Sequence, residues 1–174
     1  MADDETAEAI VWQGQFITAK TRGKWEYVSR ARGIKAAVIL AVDDGHVLLV
    51  EQYRVPLGAN CLELPAGLVG DVTAGEAVET AAARELEEET GYRPARVTMM
   101  GEYYSSPGMV SESFFLVRAE GLEKVGQGGG VEDENIIVHR VPLDEVASFM
   151  AAKRAAGCAM DVKLLALLGP QLWA

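Results

Sequence analysis

Along the first third of the chain, apolar positions come in short, partly alternating runs: Ile10–Trp12, Gln15–Lys20, Lys24–Arg30, then the stronger pair Lys35–Val42 and His46–Tyr53. Runs of this length and spacing predict strands. Asp43-Asp44-Gly45 separates the strong pair, and its Asp-Gly favours the positive φ angles of a tight hairpin. A short segment, Cys61–Leu64, is followed by the turn-rich Pro65–Asp71. The period then changes. Val78, Ala81, Ala82 and Leu86 recur at helical spacing, with Thr73 and Glu76 placed as a capping box and Gly91 as the stop. Strand patterns resume at Arg96–Tyr104, Ser113–Ala119 and Ile136–Val141, the first two separated by the turn signal Ser105-Ser106-Pro107-Gly108. Gly126–Gly130 predicts a flexible loop leading into Glu132-Asp133-Glu134, and Leu143–Ala155 and Met160–Leu168 read as two helices split at Gly157. This order predicts a mixed sheet with one inserted helix and helices at the end, an α/β (α+β) sandwich.

Composition narrows the picture. The 174 residues fit one domain with a real core, and 49% apolar with 24% charged residues excludes a disordered or fibrous chain. A formal charge of −10 argues against a nucleic-acid or acidic-membrane binder, so any anionic substrate must be neutralised locally. The acidic start lacks a secretory pattern and the longest apolar run, Ala36–Val42, is far too short to span a bilayer, which makes a cytoplasmic protein the expectation. Cys61 and Cys158 sit in no ligand spacing and are expected to be reduced structural residues. With only His46 and His139, a metal site would be built from oxygen ligands, which favours Mg²⁺ or Mn²⁺.

One segment resists a purely structural reading. Ala83–Gly91, "ARELEEETG", puts four glutamates into five residues at a helix C-terminus. Glu85, Glu88 and Glu89 share one face at i, i+3 and i+4, where like charges cost roughly 0.2–0.5 kcal/mol per pair. The helix dipole disfavours them further, and Arg84 offsets only part of this. A solvated acidic face is one explanation. A bound divalent cation is the other, since it turns the repulsion into coordination.

"GDVTAGEAVETAAARELEEETGY" (residues 70–92) resembles the signature of the Nudix hydrolases, with Gly70, Glu76, Arg84, Glu85, Leu86, Glu88, Glu89 and Gly91 in its fixed positions and Tyr92 in its final aliphatic slot. Glu51–Pro56 ("EQYRVP"), Glu63–Gly67 ("ELPAG"), Pro107, Ser106–Glu112 and Glu132–Glu134 are similar to the ADP-ribose pyrophosphatase branch. Gly67 lies three residues too far from Glu76 to begin the signature, as if the intervening loop carried an insertion, and Gly70 supplies the spacing instead.

The resemblance implies a Nudix fold, a mixed β-sheet sandwiched between helices, in residues 34–174. It also implies an antiparallel strand region in residues 1–33 that serves dimerisation and the substrate. The implied reaction is hydrolysis of ADP-ribose to AMP and ribose 5-phosphate, with Mg²⁺ as cofactor and Mn²⁺ as the other candidate. Another nucleoside diphosphate sugar such as GDP-mannose, or a non-catalytic nucleotide sensor, are the alternatives. By resemblance, Glu85 and Glu89 with the Ala66 carbonyl hold the metals, Glu88 supports or bridges, and Glu134 is a further ligand. Arg84 orients these carboxylates, or is simply an i, i+4 salt-bridge partner. Glu132 is the implied general base. Arg54, Glu112, Trp25 and Pro107 are implied to meet the substrate, with Trp25 supplied across a homodimer. No nucleic-acid or membrane partner is expected.

Overall fold

A computed structural model describes residues 7–31, 33–70, 75–130 and 134–169. In chain order the elements are β1 (Ala9–Gln13), β2 (Ile17–Arg22), β3 (Trp25–Arg30), β4 (Lys35–Asp43), β5 (His46–Arg54), β6 (Ala59–Glu63) and β7 (Ala66–Val69). There follow α1 (Val78–Thr90), β8 (Tyr92–Tyr104), β9 (Ser113–Lys124), β10 (Ile137–Pro142), α2 (Val146–Ala155), β11 (Ala159–Met160) and a 3-10 helix, Val162–Leu168. Strands β1–β3 form a separate antiparallel sheet. The main sheet is mixed, in the order β11-β6-β5-β4-β9-β8, with β10 on β5 and β7 on β4. It is parallel at β4–β9 and β6–β11 and antiparallel elsewhere.

The alternation along β4 explains why helices cover both faces. Ala37, Ile39 and Ala41 point into a cluster with Leu48, Ala82, Leu86, Val117 and Ala119 beneath α1. Val38, on the other face, joins Val47, Leu49, Leu62, Leu64, Val141, Val146, Met150 and Leu164 on the α2 side. The α1 stripe holds as patterned, with Ala81, Ala82 and Leu86 fully buried, and Asp44 (φ 46°) and Gly45 (φ 69°) make the expected tight hairpin.

Three local expectations are corrected. Pro65–Asp71 is not all turn: Ala66–Val69 pairs with β4, because its backbone completes the ladder that Lys35–Val38 offers. Thr73, the expected cap, lies outside the described residues. Helix α1 begins at Val78 without a side-chain cap, and Glu76 lies 3.6 Å from the Arg84 guanidinium. Met160–Leu168 is not an α-helix either. Ala159–Met160 pairs in parallel with β6, and Asp161 then caps a 3-10 turn by accepting from the Lys163 amide at 2.7 Å.

A buried ionic node ties α2 to the sheet. Glu51 on β5 accepts from Lys153 Nζ at 2.6 Å and Asn60 Nδ2 at 3.1 Å, with His139 Nε2 at 3.0 Å. The Lys153 ammonium, with help from Asn60 and His139, outweighs burial and pulls the Glu51 carboxyl from its ordinary 4.5 down to about 2. Glu51→Gln should cost about 2–4 kcal/mol at neutral pH, since it strips the charge from a buried, hydrogen-bonded pair. The folded-state pKa is the lower one, so this stabilisation is complete above about 4.5 and fades as pH falls towards about 2. Denaturation of wild type and variant at pH 7 and pH 3 checks it: the gap between them should narrow at pH 3.

Candidate active site

The functional wall is built by α1. Burying Ala82 and Leu86 against β4, β5 and β9 fixes the helix's rotation and turns Glu85, Glu88 and Glu89 towards a cavity of about 970 Å³. That volume lies in the upper range for sites that take a small molecule. Glu89 is buried and accepts from the Ala66 amide at 3.0 Å. Burial pushes its carboxyl up to about 8, against the Ala66 hydrogen bond, and the nearby Glu85 and Glu134 charges add to the rise. Glu85 lies directly over β7, where a Cβ on Gly67 would stand 2.0 Å from both its Cγ and its Cδ. Gly67 is therefore the glycine of close approach, and Gly70, at φ 80°, is the glycine of the turn.

Arg84 sits among Glu85 (2.9 Å), Glu88 (3.2 Å) and Glu76 (3.6 Å), a guanidinium spanning three carboxylates rather than a single i, i+4 pair. Arg54 is held by two parallel bonds to Glu63, at 2.6 and 2.7 Å. Glu112 accepts from Arg30 Nε at 2.5 Å, and Lys163 Nζ meets Asp161 at 2.6 Å. Among the described residues, each of the four cations lining the cavity is thus already paired with a carboxylate, and Glu89 and Glu134 add further acid. A diphosphate entering this space meets more negative than positive charge. It needs a cation brought with it or held by the wall.

The donor set suits such a cation. Glu85, Glu88, Glu89 and Glu134 are hard oxygen donors on one cavity, and Ala66 lines it as well. Among the described residues, no three His, Cys, Asp or Glu side chains are drawn together as a complete ligand set.

The structure brings Arg54, Ala66, Arg84, Glu85, Glu88, Glu89, Glu112 and Glu134 to one cavity. Trp25 and Pro107 are not among its lining residues; Trp25 is 61% exposed on the N-terminal sheet. Glu132 lies outside the described residues. Sequence reasoning missed Arg30, Asp161 and Lys163, and gave Glu63 no role. Arg30 ends a strand and Lys163 sits in an apolar run, so neither carries a local signal; only the fold delivers them to the cavity. The thiols of Cys61 and Cys158 are free and buried, and burial pushes Cys61, which lines the cavity, up to about 12, far from a nucleophilic thiolate at neutral pH.

The NUDIX domain family model matches residues 31–161, and the chain belongs to that family. The N-terminal sheet, Ala9–Arg30, lies before the match. The chain is 35% identical over 118 residues to an ADP-ribose pyrophosphatase of Bacillus subtilis (strain 168), covering 67% of this chain and 62% of that protein. It is 34% identical over 156 residues to a GDP-mannose pyrophosphatase of Cronobacter sakazakii, covering 84% and 76%. The chain thus spans less than two thirds of the length of the Bacillus subtilis relative. A solved structure titled as an ADP compounds hydrolase superposes with a TM-score of 0.67 at 24% identity, over 83% of this chain and 80% of that one, and shares the fold. No described helix is long and apolar enough to cross a membrane.

Proposed function

We propose that this chain is a metal-dependent hydrolase of nucleoside diphosphate sugars, with ADP-ribose as substrate and AMP and ribose 5-phosphate as products. The observation that carries the reading is the acidic wall of α1 facing a cavity in which each lining cation among the described residues is already paired, a site that favours a diphosphate together with a divalent ion. Glu85 and Glu89, with the Ala66 carbonyl, would hold Mg²⁺ or Mn²⁺, with Glu88 in support and Glu134 as a further ligand. The ion supplies charge neutralisation at the diphosphate and a more acidic bound water. Glu132 takes the proton from the attacking water, whose oxygen bonds to one phosphorus while the bridging oxygen leaves on the other phosphate. Arg54 and Arg30 turn towards phosphate as their carboxylate partners are exchanged, and Glu112, released from Arg30, accepts from ribose hydroxyls.

The N-terminal sheet supports a homodimer. Ile10, Val11, Trp12, Phe16 and Trp25 are each more than half exposed on it, an apolar surface that a second copy would cover. Trp25 of one protomer then reaches the other's adenine, near Pro107. The proposed setting is the cytoplasm, without nucleic-acid or membrane partners.

A panel of ADP-ribose, GDP-mannose, other nucleoside diphosphate sugars and dinucleotides with Mg²⁺, with products separated by chromatography, tests the reading. ADP-ribose should turn over fastest. Fastest turnover of GDP-mannose would move the substrate to the class of the Cronobacter sakazakii relative. Tight binding of one member without turnover of any would make the chain a sensor and overturn the enzyme reading.

A further inference from the structure

The last turn of a helix leaves carbonyls without partners, and four nearby glutamates make this end still more negative. Here the glycine run supplies the missing donors. Gly129 donates its amide to the Glu89 carbonyl at 2.8 Å and Gly130 donates to the Glu88 carbonyl at 3.1 Å, while Val125 and Gly126 both donate to the Gly91 carbonyl. Lys124 Nζ donates to the Thr90 carbonyl at 2.9 Å. The expected flexible loop is in fact docked along the end of α1, and its glycines are required for proximity. A Cβ on Gly128 would stand 2.4 Å from the Thr90 carbonyl carbon and 2.7 Å from the Glu89 oxygen. One on Gly130 would stand 2.3 Å from Glu134 Oε2. Ile136 then donates to the Gly129 carbonyl at 3.0 Å, so the chain that carries Glu134 to the cavity leaves and returns at this anchor.

We propose that Gly128, Gly129 and Gly130 are positioning residues: a backbone clasp that fixes Glu134 relative to Glu89 by bonding the loop to the main chain of Glu88 and Glu89. The carboxylates on α1 and the carboxylate on the loop then form one rigid unit. Their spacing is set before any cation or substrate arrives, which is the preorganisation that a charged site rewards. The inference rests on the proposed hydrolase reading for its kinetic arm, on the proposed metal ligands for its binding arm, and on the fold alone for its exchange arm.

Gly128→Ala tests the clasp, with Gly45→Ala as its control. Both glycines have φ of +69°, so both variants bear the same backbone strain, but a Cβ on Gly45 meets nothing within 4 Å. Gly128→Ala should lower kcat and weaken Mn²⁺ binding, followed by electron paramagnetic resonance, by about tenfold or more, with KM for the nucleotide sugar little changed. Gly45→Ala, which bears the left-handed strain without the clash, should lose less thermal stability and keep wild-type kcat and Mn²⁺ binding. Equal kcat and Mn²⁺ binding in the two variants would sink the clasp. If Gly128→Ala does not fold, amide hydrogen exchange in the wild type decides: protected Gly129 and Gly130 amides uphold the clasp, and exchange at open-loop rates refutes it. If the wild type cleaves nothing in the panel, the hydrolase reading fails, and Mn²⁺ binding and exchange still judge the clasp.

Discussion

Glu85→Gln and Glu89→Gln should each lower kcat by about two to three orders of magnitude, a loss of roughly 3–4 kcal/mol of transition-state stabilisation. Both substitutions keep side-chain length and replace a carboxyl that can ionise onto a cation with a neutral amide. At Glu89 the amide oxygen can still accept from the Ala66 N–H, so the buried position keeps its partner. Thermal stability should therefore change little, and excess Mg²⁺ should rescue only weakly, because the missing element is a ligand. Steady-state kinetics over a metal titration, beside a melting curve, separates the two effects. Wild-type rates in both variants would refute the assignment of these carboxylates to the metal.

A comparable loss should come from a residue with no functional group. Gly67→Ala places a methyl where the Glu85 side chain now runs, 2.0 Å from its Cγ and Cδ. Gly67 is outside the left-handed region, so the backbone accepts alanine and the nearest clashes fall on the Glu85 side chain. Displacing a reacting group by about 1 Å can cost about a hundredfold in rate, and that is the expected size here. The signature of the effect is non-additivity. Glu85→Gln and Gly67→Ala together should be scarcely slower than Glu85→Gln alone, since both act on one carboxylate. A double variant whose losses multiply would show that Gly67 acts by another route.

The acidic wall was legible in the sequence because helical periodicity alone puts Glu85, Glu88 and Glu89 on one side and Leu86 on the other. The hairpin at Asp44-Gly45 and the α1 stop at Gly91 were legible because each is a local backbone requirement that few residues meet. What escaped was set by partners distant in sequence. Ala66–Val69 reads as turn until β4 offers its edge, and Met160 reads as helix until β6 draws it into a ladder. Arg30 and Lys163 reach the cavity from chain segments 54 residues before and 79 residues after Arg84, and no spacing rule connects them. The glycine run was read by the commonest meaning of glycine, freedom, when its use here is proximity: atoms that would exclude a helix end are simply not there.

The seam between α1 and the sheet makes the same point at larger scale. Ala37, Ala41, Ala82 and Ala119 are fully buried in it, so the helix rests on methyl groups at close range. A seam of this kind encodes a distance. Filling it with larger side chains would add apolar contact yet lift the carboxylates of α1 away from Gly67 and the glycine run by the width of each added methylene. Such growth would also strain a seam this closely packed, so the same four alanines serve packing and site together: the reach of each glutamate is measured from where they let the helix lie.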